Sequence, residues 1–491
     1  TSEDGRYRTS SSENKYNTNT TYERWNYRAN VDMNLTRSTI LKVSVGGWLV
    51  NRNSPQSDAD DIWKSFAYYT PLSSPRKWST GQWPVVNGMT TPEYQMTQTG
   101  YRTIWESKVE SSVALDQDLS FITKGLKFSG VFAFDTYNKN TIRRSKAQEL
   151  WSAEYSRDAN GNLVLKRVQN AAAMSQKKIV EGDKRYYLQA SLDYSRLFAQ
   201  KHRVGVFAMV YQQETTDVNF DRNLAYSGRF TYAFQDKYMA EFNWGYTGSE
   251  NFEHGKQFGF FPAVSAGWVV SEESFVKKAM PWLDLFKIRA SYGEVGNDQL
   301  RTSLTDDKTR RFPYISLVST DDGGSYTFGE FGTNKVQGYR IKTLGTSNLT
   351  WEVAKKYDIG VDFSIFNGKV TGTVDYFVDK RDDIFMQRNQ MPLTTGLADQ
   401  TPMANVGKMK SVGWDGNIAF TQQIGQVSLQ LRGNFTYQKT DILDMDEAAN
   451  ELWYKMNKGF QLNQSRGFIA LGLFKDQEDI DRSPSQASLA N

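Results

Sequence analysis

The sequence predicts an all-β protein, a transmembrane antiparallel β-barrel of up-and-down topology. Three observations carry that reading: long segments of strict apolar/polar alternation, a sorting of short and long connections to opposite ends of the strands, and an aromatic content out of proportion to the aliphatic content. Aromatics make up 14% of the chain while all hydrophobic residues reach only 39%, so the rings outnumber what a soluble core of Leu, Ile and Val would accompany. Rings of that kind face something other than a core.

The alternation is clearest from Trp25 to Leu35. Trp25, Tyr27, Ala29, Val31, Met33 and Leu35 occupy the odd positions, and Asn26, Arg28, Asn30, Asp32 and Asn34 the even ones. Strands of soluble sandwiches average about five or six residues, whereas this alternation persists for eleven. Eleven residues at about 3.3 Å each, tilted by about 45°, rise roughly 25 Å, the height of the apolar band of an outer-membrane barrel. Comparable runs lie at about 25–35, 40–50, 107–119, 126–137, 185–195, 203–214, 223–234, 238–247, 260–270, 285–293, 354–365, 369–380, 412–423 and 427–439, which predicts fourteen strands.

Tight turns are expected at 36–39, 121–125, 199–202, 235–237, 366–368 and 425–426, and long polar connections at about 51–106, 138–184, 248–259, 294–353 and 381–411. Membrane barrels place short turns on the periplasmic side and long loops outside the cell; a soluble sandwich has no reason to sort them. Segment 271–284 is long for a periplasmic turn and is expected to hold a short helix. In this orientation Trp25, Tyr27 and Tyr226 approach the outer rim, and Phe234, Tyr238, Trp268 and Phe286 the periplasmic rim, as two aromatic girdles at headgroup level. The even positions then face a lumen, with Arg28, Asp32, Lys108, Asp116 and Asp118 as candidate lumen-facing residues. Val31 faces lipid.

Composition narrows the chemistry. There is no cysteine and only His202 and His254, which removes thiolate catalysis, disulfides and zinc sites of the usual kind. Net charge is +4 with both signs mixed along the chain, so no basic stripe calls for nucleic acid. The apolar runs are far shorter than the 18 or so residues of a membrane helix, and the first twenty residues are polar, without the pattern of a secretory signal. His202 reads as a solvated turn residue. His254 with Glu250 and Glu253, the acidic run Asp58, Asp60 and Asp61, and Asp321 and Asp322 before Gly323 all lack the spacing of a metal loop. No catalytic residue, metal or cofactor is assigned, and the protein is not read as an enzyme. Asn160-Gly161 between extended flanks marks a tight hairpin at a loop tip.

The connection at 51–106 stands apart. Trp63, Tyr68, Tyr69, Trp78 and Trp83 lie there among Asp, Asn and Gln, and flat rings beside directed polar groups are what a sugar site requires. Rings that pack a long loop, or dock a lid protein, account for the same composition. Trp63, Tyr68, Tyr69, Trp78 and Trp83 are the candidate substrate-binding residues.

Five blocks in fixed order resemble the SusC/RagA family of TonB-dependent transporters: FGFFPAVSAGWVVSEESF at Phe258 to Phe275, LFKIRASYGEVGN at Leu285 to Asn297, LTWEVAKKYDIGVDF at Leu349 to Phe363, DYFVDKRDDIF at Asp375 to Phe385, and NVGKMKSVGWD at Asn405 to Asp415. They cover about 220–480; residues 1–219 match in strand pattern only. WGYTGSENF at Trp244 to Phe252 departs from the more basic stretch the family usually shows there. The resemblance implies a barrel of about 22 strands, so residues 1–491 are a partial barrel of about fourteen, without the N-terminal plug and TonB box and with C-terminal strands beyond residue 491. It also implies uptake of oligosaccharide or oligopeptide, a SusD-like lipoprotein lid, and energy from TonB through the plug. The alternatives are a surface all-β binding protein or adhesin, and a siderophore transporter of the same fold.

Overall fold

A computed structural model of the protein describes residues 2–4, 15–70, 72–216, 220–300, 312–320, 324–388, 390, 394, 402–448, 452–470 and 472–484. Among these residues one antiparallel sheet of 15 strands dominates. Fourteen strands are long: β1 (Thr21–Asn34), β2 (Thr39–Pro55), β3 (Gly100–Asp118), β4 (Leu126–Ala147), β5 (Ala172–Phe198), β6 (His202–Thr216), β7 (Phe220–Phe234), β8 (Tyr238–Ser249), β9 (Phe258–Val269), β10 (Leu283–Asn297), β11 (Glu352–Ile365), β12 (Val370–Gln387), β13 (Met403–Ile424) and β14 (Val427–Asp444). Each pairs with its neighbours in sequence, so the sheet is a meander, and the fourteen expected strands are all present. The fifteenth, Ser2–Asp4, pairs with Thr21 to Glu23 on the free edge of β1. The sheet does not close on itself among the described residues.

The strands outrun their sequence signature. β5 has 27 residues and β4 and β13 have 22 each, so the expected connections 51–106, 138–184, 294–353 and 381–411 contract to 56–99, 148–171, 298–351 and 388–402. Above the apolar band both faces of a strand meet water, so hydrophobic alternation stops while backbone pairing continues. Sequence periodicity therefore reports the membrane-facing part of each strand and not its full length.

The tight turns fall at one end. In the turn after β5, Ala199 and Gln200 both have positive φ (47° and 57°), and the Lys201 N–H donates to the Phe198 carbonyl at 3.0 Å. Gln235 and Asp236 repeat this after β7, with φ of 52° and 54°. Two left-handed central residues match the right-handed twist of the flanking strands. The turn at 270–282 holds a 3₁₀ turn (Val270–Glu272) and the short helix Ser274–Ala279, as expected. At the opposite end the connections are long with one exception: β6 stops at Thr216 and β7 starts at Phe220.

Register sorts the side chains into two faces. Phe234, Tyr238, Trp268, Ile288 and Val361 lie opposite one another across five strands, and directly opposed residues share a face. That row holds three of the expected periplasmic girdle residues, with Tyr238 and Trp268 stacked at 6.3 Å. His202 extends the ladder: its ring lies 5.1 Å from Phe234 and its Nδ1 is 2.8 Å from the Tyr232 hydroxyl. The solvated turn residue expected from sequence is a half-buried girdle member, because β6 begins at His202 and its alternation turns the ring toward the aromatics. Beyond the row, Val264 and Ile359 are 50% and 59% exposed; among the described residues no second sheet packs on this apolar face. A buried hydrophobic cluster lies instead at the outer ends of the strands, in Phe252, Leu300, Leu349, Trp351, Phe385 and Met403.

Candidate functional site: the charged wall and the outer loops

The opposite face of the sheet is polar, and register concentrates charge on it. Arg289 of β10, Gly360 of β11, Asp375 of β12 and Asp415 of β13 lie directly across from one another. The Arg289 guanidinium reaches over the bare Gly360 to Asp375 at 2.8 Å and also contacts Asp362 at 3.3 Å and Asp358 at 3.4 Å. Lys287 lies 3.9 Å from Asp362. A Cβ on residue 360 would fall 1.9 Å from Asp375 Oδ1 and 2.7 Å from Arg289 Cζ, so the bridge requires glycine there. One guanidinium thus serves three carboxylates beside a groove of about 370 Å³ that includes Arg203, Glu241, Ser265 and Ser291. Sequence reading did not single out this cluster. Each acid and base does sit at the polar phase of its strand, but their convergence depends on the register of two strand pairs, β10 with β11 and β11 with β12.

The five residues expected to face a lumen share this polar face on the other wall. Arg28 lies opposite Gly46, which lies opposite Glu110, the same succession of cation, glycine and carboxylate; Lys108 forms an ion pair with Glu110. Asp32 lies opposite Lys42, whose Nζ bonds Asp116 at 2.8 Å, and the Ser129 hydroxyl donates to Asp116 at 2.7 Å. Asp118 is committed to a turn, accepting from the Ser120 N–H at 2.7 Å. Asp116, Asp118, Lys127, Ser129 and Asp193 line a trough of about 530 Å³.

The outer loops are not independent. Residues from 56–99 and 148–171 form one four-stranded sheet in which Trp83 and Pro84 pair in parallel with Leu150 and Trp151. Trp78 donates from Nε1 to the Trp151 carbonyl at 2.8 Å, while Trp83 packs edge-on against Tyr94 at 5.8 Å under the Lys77 ammonium. Trp78 and Trp83 therefore hold two loops together. Trp63 and Tyr68 differ: they lie on the helix α1 (Ala59–Tyr68) and are 52% and 66% exposed. Tyr69, just past the helix, lines a small cleft with Tyr68 and Met89. The five candidate aromatics thus form two groups, one packed and one presented to solvent. At the tip of 148–171 the Asp158 carboxylate accepts from the Asn160 and Asn162 N–H groups at 2.8 Å each; these backbone donors hold it below the usual carboxylate range.

The third long loop, 298–351, is pinned by the buried cluster. Trp351 packs on Phe252 and Phe261 at 5.1 and 5.3 Å and donates from Nε1 to the Gln257 carbonyl at 3.1 Å. Asp58 of the acidic run is paired with Arg102 at 2.7 Å, His254 is exposed, and no group of three metal-ligating side chains occurs among the described residues. Asp321 and Asp322 lie outside the described residues.

Comparison with known proteins agrees with this geometry. The family model described as TonB dependent receptor-like, beta-barrel, matches residues 2–473. TonB-dependent receptor P39 of Formosa agariphila is 29% identical over 259 residues, which are 52% of this chain and 23% of that protein. TonB-dependent receptor SusC of Bacteroides thetaiotaomicron is 28% identical over 220 residues, 42% of this chain and 20% of that one. Among solved structures, the RagAB peptide importer in its closed-closed state superimposes with a TM-score of 0.67 at 16% identity, over 88% of this chain and 48% of the matched chain. At that identity the likeness is one of fold. The alignments span about half of the structural neighbour and about a quarter or less of the curated relatives. Long two-faced strands, sorted connections and a family match across nearly the whole sequence lead to one conclusion: the chain belongs to the TonB-dependent receptor-like β-barrel family of the outer membrane.

Proposed function

We propose that residues 1–491 form part of the wall of an outer-membrane nutrient importer of about 22 strands, whose plug and remaining strands belong to other parts of the protein. The polar face, with Arg28, Asp32, Lys108, Asp116 and Asp118, lines the lumen. A plug fills that lumen and is displaced by TonB, and a SusD-like surface lipoprotein closes the outer face over an oligosaccharide or oligopeptide. The observation that carries this reading is the division of one continuous sheet into an exposed apolar face and a face of paired charges. Support comes also from relatives named as TonB-dependent receptors, SusC among them, and from a fold neighbour described as a peptide importer. The chain carries out no bond chemistry.

The test is binding and uptake by the full-length protein co-expressed with its neighbouring lipoprotein. A panel of oligosaccharides and peptides is titrated against the purified complex, and growth on each is compared with and without TonB. A cargo bound by the complex and used only when TonB is present is the expected result. Growth defects confined to iron-limited medium would point to a siderophore transporter instead, and a full-length protein that stays in aqueous buffer without detergent would overturn the importer.

A further inference from the structure

On the apolar face of β11, β12 and β13, Lys355, Lys380 and Lys410 stand directly opposite one another on adjacent strands. They share that face with Tyr357, whose ring lies 5.9 Å from the Lys380 ammonium and 4.9 Å from the ring of Tyr292. Lys355 lies ten residues before Ile365, where β11 meets its tight turn. Ten residues along a strand tilted by about 45° rise about 23 Å, which places the row at the outer edge of the apolar band. Three cations therefore stand side by side on adjacent strands at headgroup level, on the apolar face.

Like charges directly opposed across strands are destabilising, and carboxylates offset the row in part: Glu294 stands opposite Lys355, and Asp382 lies two residues beyond Lys380 on the same strand. Lys355 reaches Asp382 at 3.3 Å. Asp441, opposite Lys410, is engaged by Lys439 at 3.1 Å. Lys380 and Lys410 form no ion pair among the described residues, while Lys408, two positions outward, lies opposite Asp444. Neighbouring strands lie about 4.8 Å apart, so the phosphate oxygens of one headgroup span two of these ammonium groups. Tyr357 and Trp414, both more than 40% exposed just below, offer rings to the start of the acyl chains.

We propose that Lys355, Lys380 and Lys410 form a binding site for the phosphorylated headgroup of an outer-leaflet glycolipid, held against the outside of the barrel. The site is independent of cargo and of the lid.

The experiment titrates full-length protein in neutral detergent with a phosphorylated glycolipid and with its dephosphorylated form, following the melting temperature and bound phosphate. Wild-type protein is expected to bind and be stabilised by the phosphorylated lipid alone. Replacement of Lys380 and Lys410 by Gln is expected to weaken that binding about tenfold or more, at roughly 1 kcal/mol per lysine near a charged surface, while K380R/K410R retains it. Should the Gln double variant fail to insert, the K380Q single variant and the Arg pair give the same comparison. Equal binding by wild type and Gln variants overturns the site. So does wild-type protein that is stabilised to the same extent by both lipids, because the phosphate then contributes nothing.

Discussion

Arg289 and Asp375 meet at 2.8 Å across a strand that offers no side chain between them, since the residue of β11 lying opposite both is Gly360. The guanidinium is two-thirds covered and the carboxylate nearly nine-tenths, so the pair works in a medium less polar than water and each charge depends on the other. Gly360→Ala is expected to force the two apart and cost about 1–3 kcal/mol, the usual penalty of overpacking a filled site. Arg289→Met, which leaves Asp358, Asp362 and Asp375 facing one another, is expected to cost more than Asp358→Asn, which relieves repulsion. Thermal unfolding in detergent, read by loss of the heat-modifiable gel shift, compares them; equal costs for R289M and D358N would show that the cluster is not organised around the guanidinium.

The two faces are tested at adjacent positions of β1. Val31 is 51% exposed on the apolar face, and Asp32 lies opposite Lys42 on the polar one. Val31→Arg is expected to cost about 2–4 kcal/mol, the price of a cation on the lipid side at mid-membrane. Asp32→Arg is expected to cost much less. Folding yields in lipid vesicles of graded denaturant content measure both, and equal effects would reverse the assignment of faces.

Trp351 fastens the loop 298–351 through Phe252, Phe261 and the Gln257 carbonyl. Trp351→Ala is expected to remove about 3–5 kcal/mol from loop docking and to leave the barrel strands paired. Gly296→Ala should act similarly, since its Cβ would fall 2.0 Å from the Phe261 ring. Protease added to intact cells reads the outcome: faster cleavage within 298–351 with unchanged heat modifiability. Loss of the barrel itself would mean that the cluster nucleates the sheet.

On the periplasmic side Glu273 accepts from the Tyr238 hydroxyl at 2.8 Å and from Trp268 Nε1 at 3.3 Å, with Lys237 at 3.8 Å. The Tyr238 bond first and the Trp268 bond second hold its carboxyl below the usual range. A depressed carboxyl adds stability that is complete above its unfolded value, near pH 4.3, and is lost as pH falls through the folded value. Hydrogen-exchange protection of the segment 270–282, taken relative to the intrinsic rate at each pH, is therefore expected to fall as pH drops below about 4. Glu273→Gln should flatten that dependence; a variant with the same acid sensitivity would place its origin elsewhere.

Much of this protein could be read without coordinates. Alternation in Trp25 to Leu35 and its thirteen counterparts located the strands, because lipid on one side and water on the other impose a period of two. The tight turns were legible for the same reason, as breaks in that period. Strand length was not, since β5 keeps pairing through Ala172 to Lys184 after its surroundings have become aqueous on both sides. His202 was misread because its place in a turn says nothing of the ring beside it.

The sequence by itself determined which residues face apolar surroundings and which face polar ones, since that choice is written in the parity of each strand. Only the tertiary structure decided which of them meet: Arg289 with Asp358, Asp362 and Asp375, Trp78 with Trp151, Lys380 with Lys355 and Lys410. Parity is local to a strand, whereas register and loop docking are set between segments far apart in the chain, and a shift of one residue in any hairpin would bring different charges together.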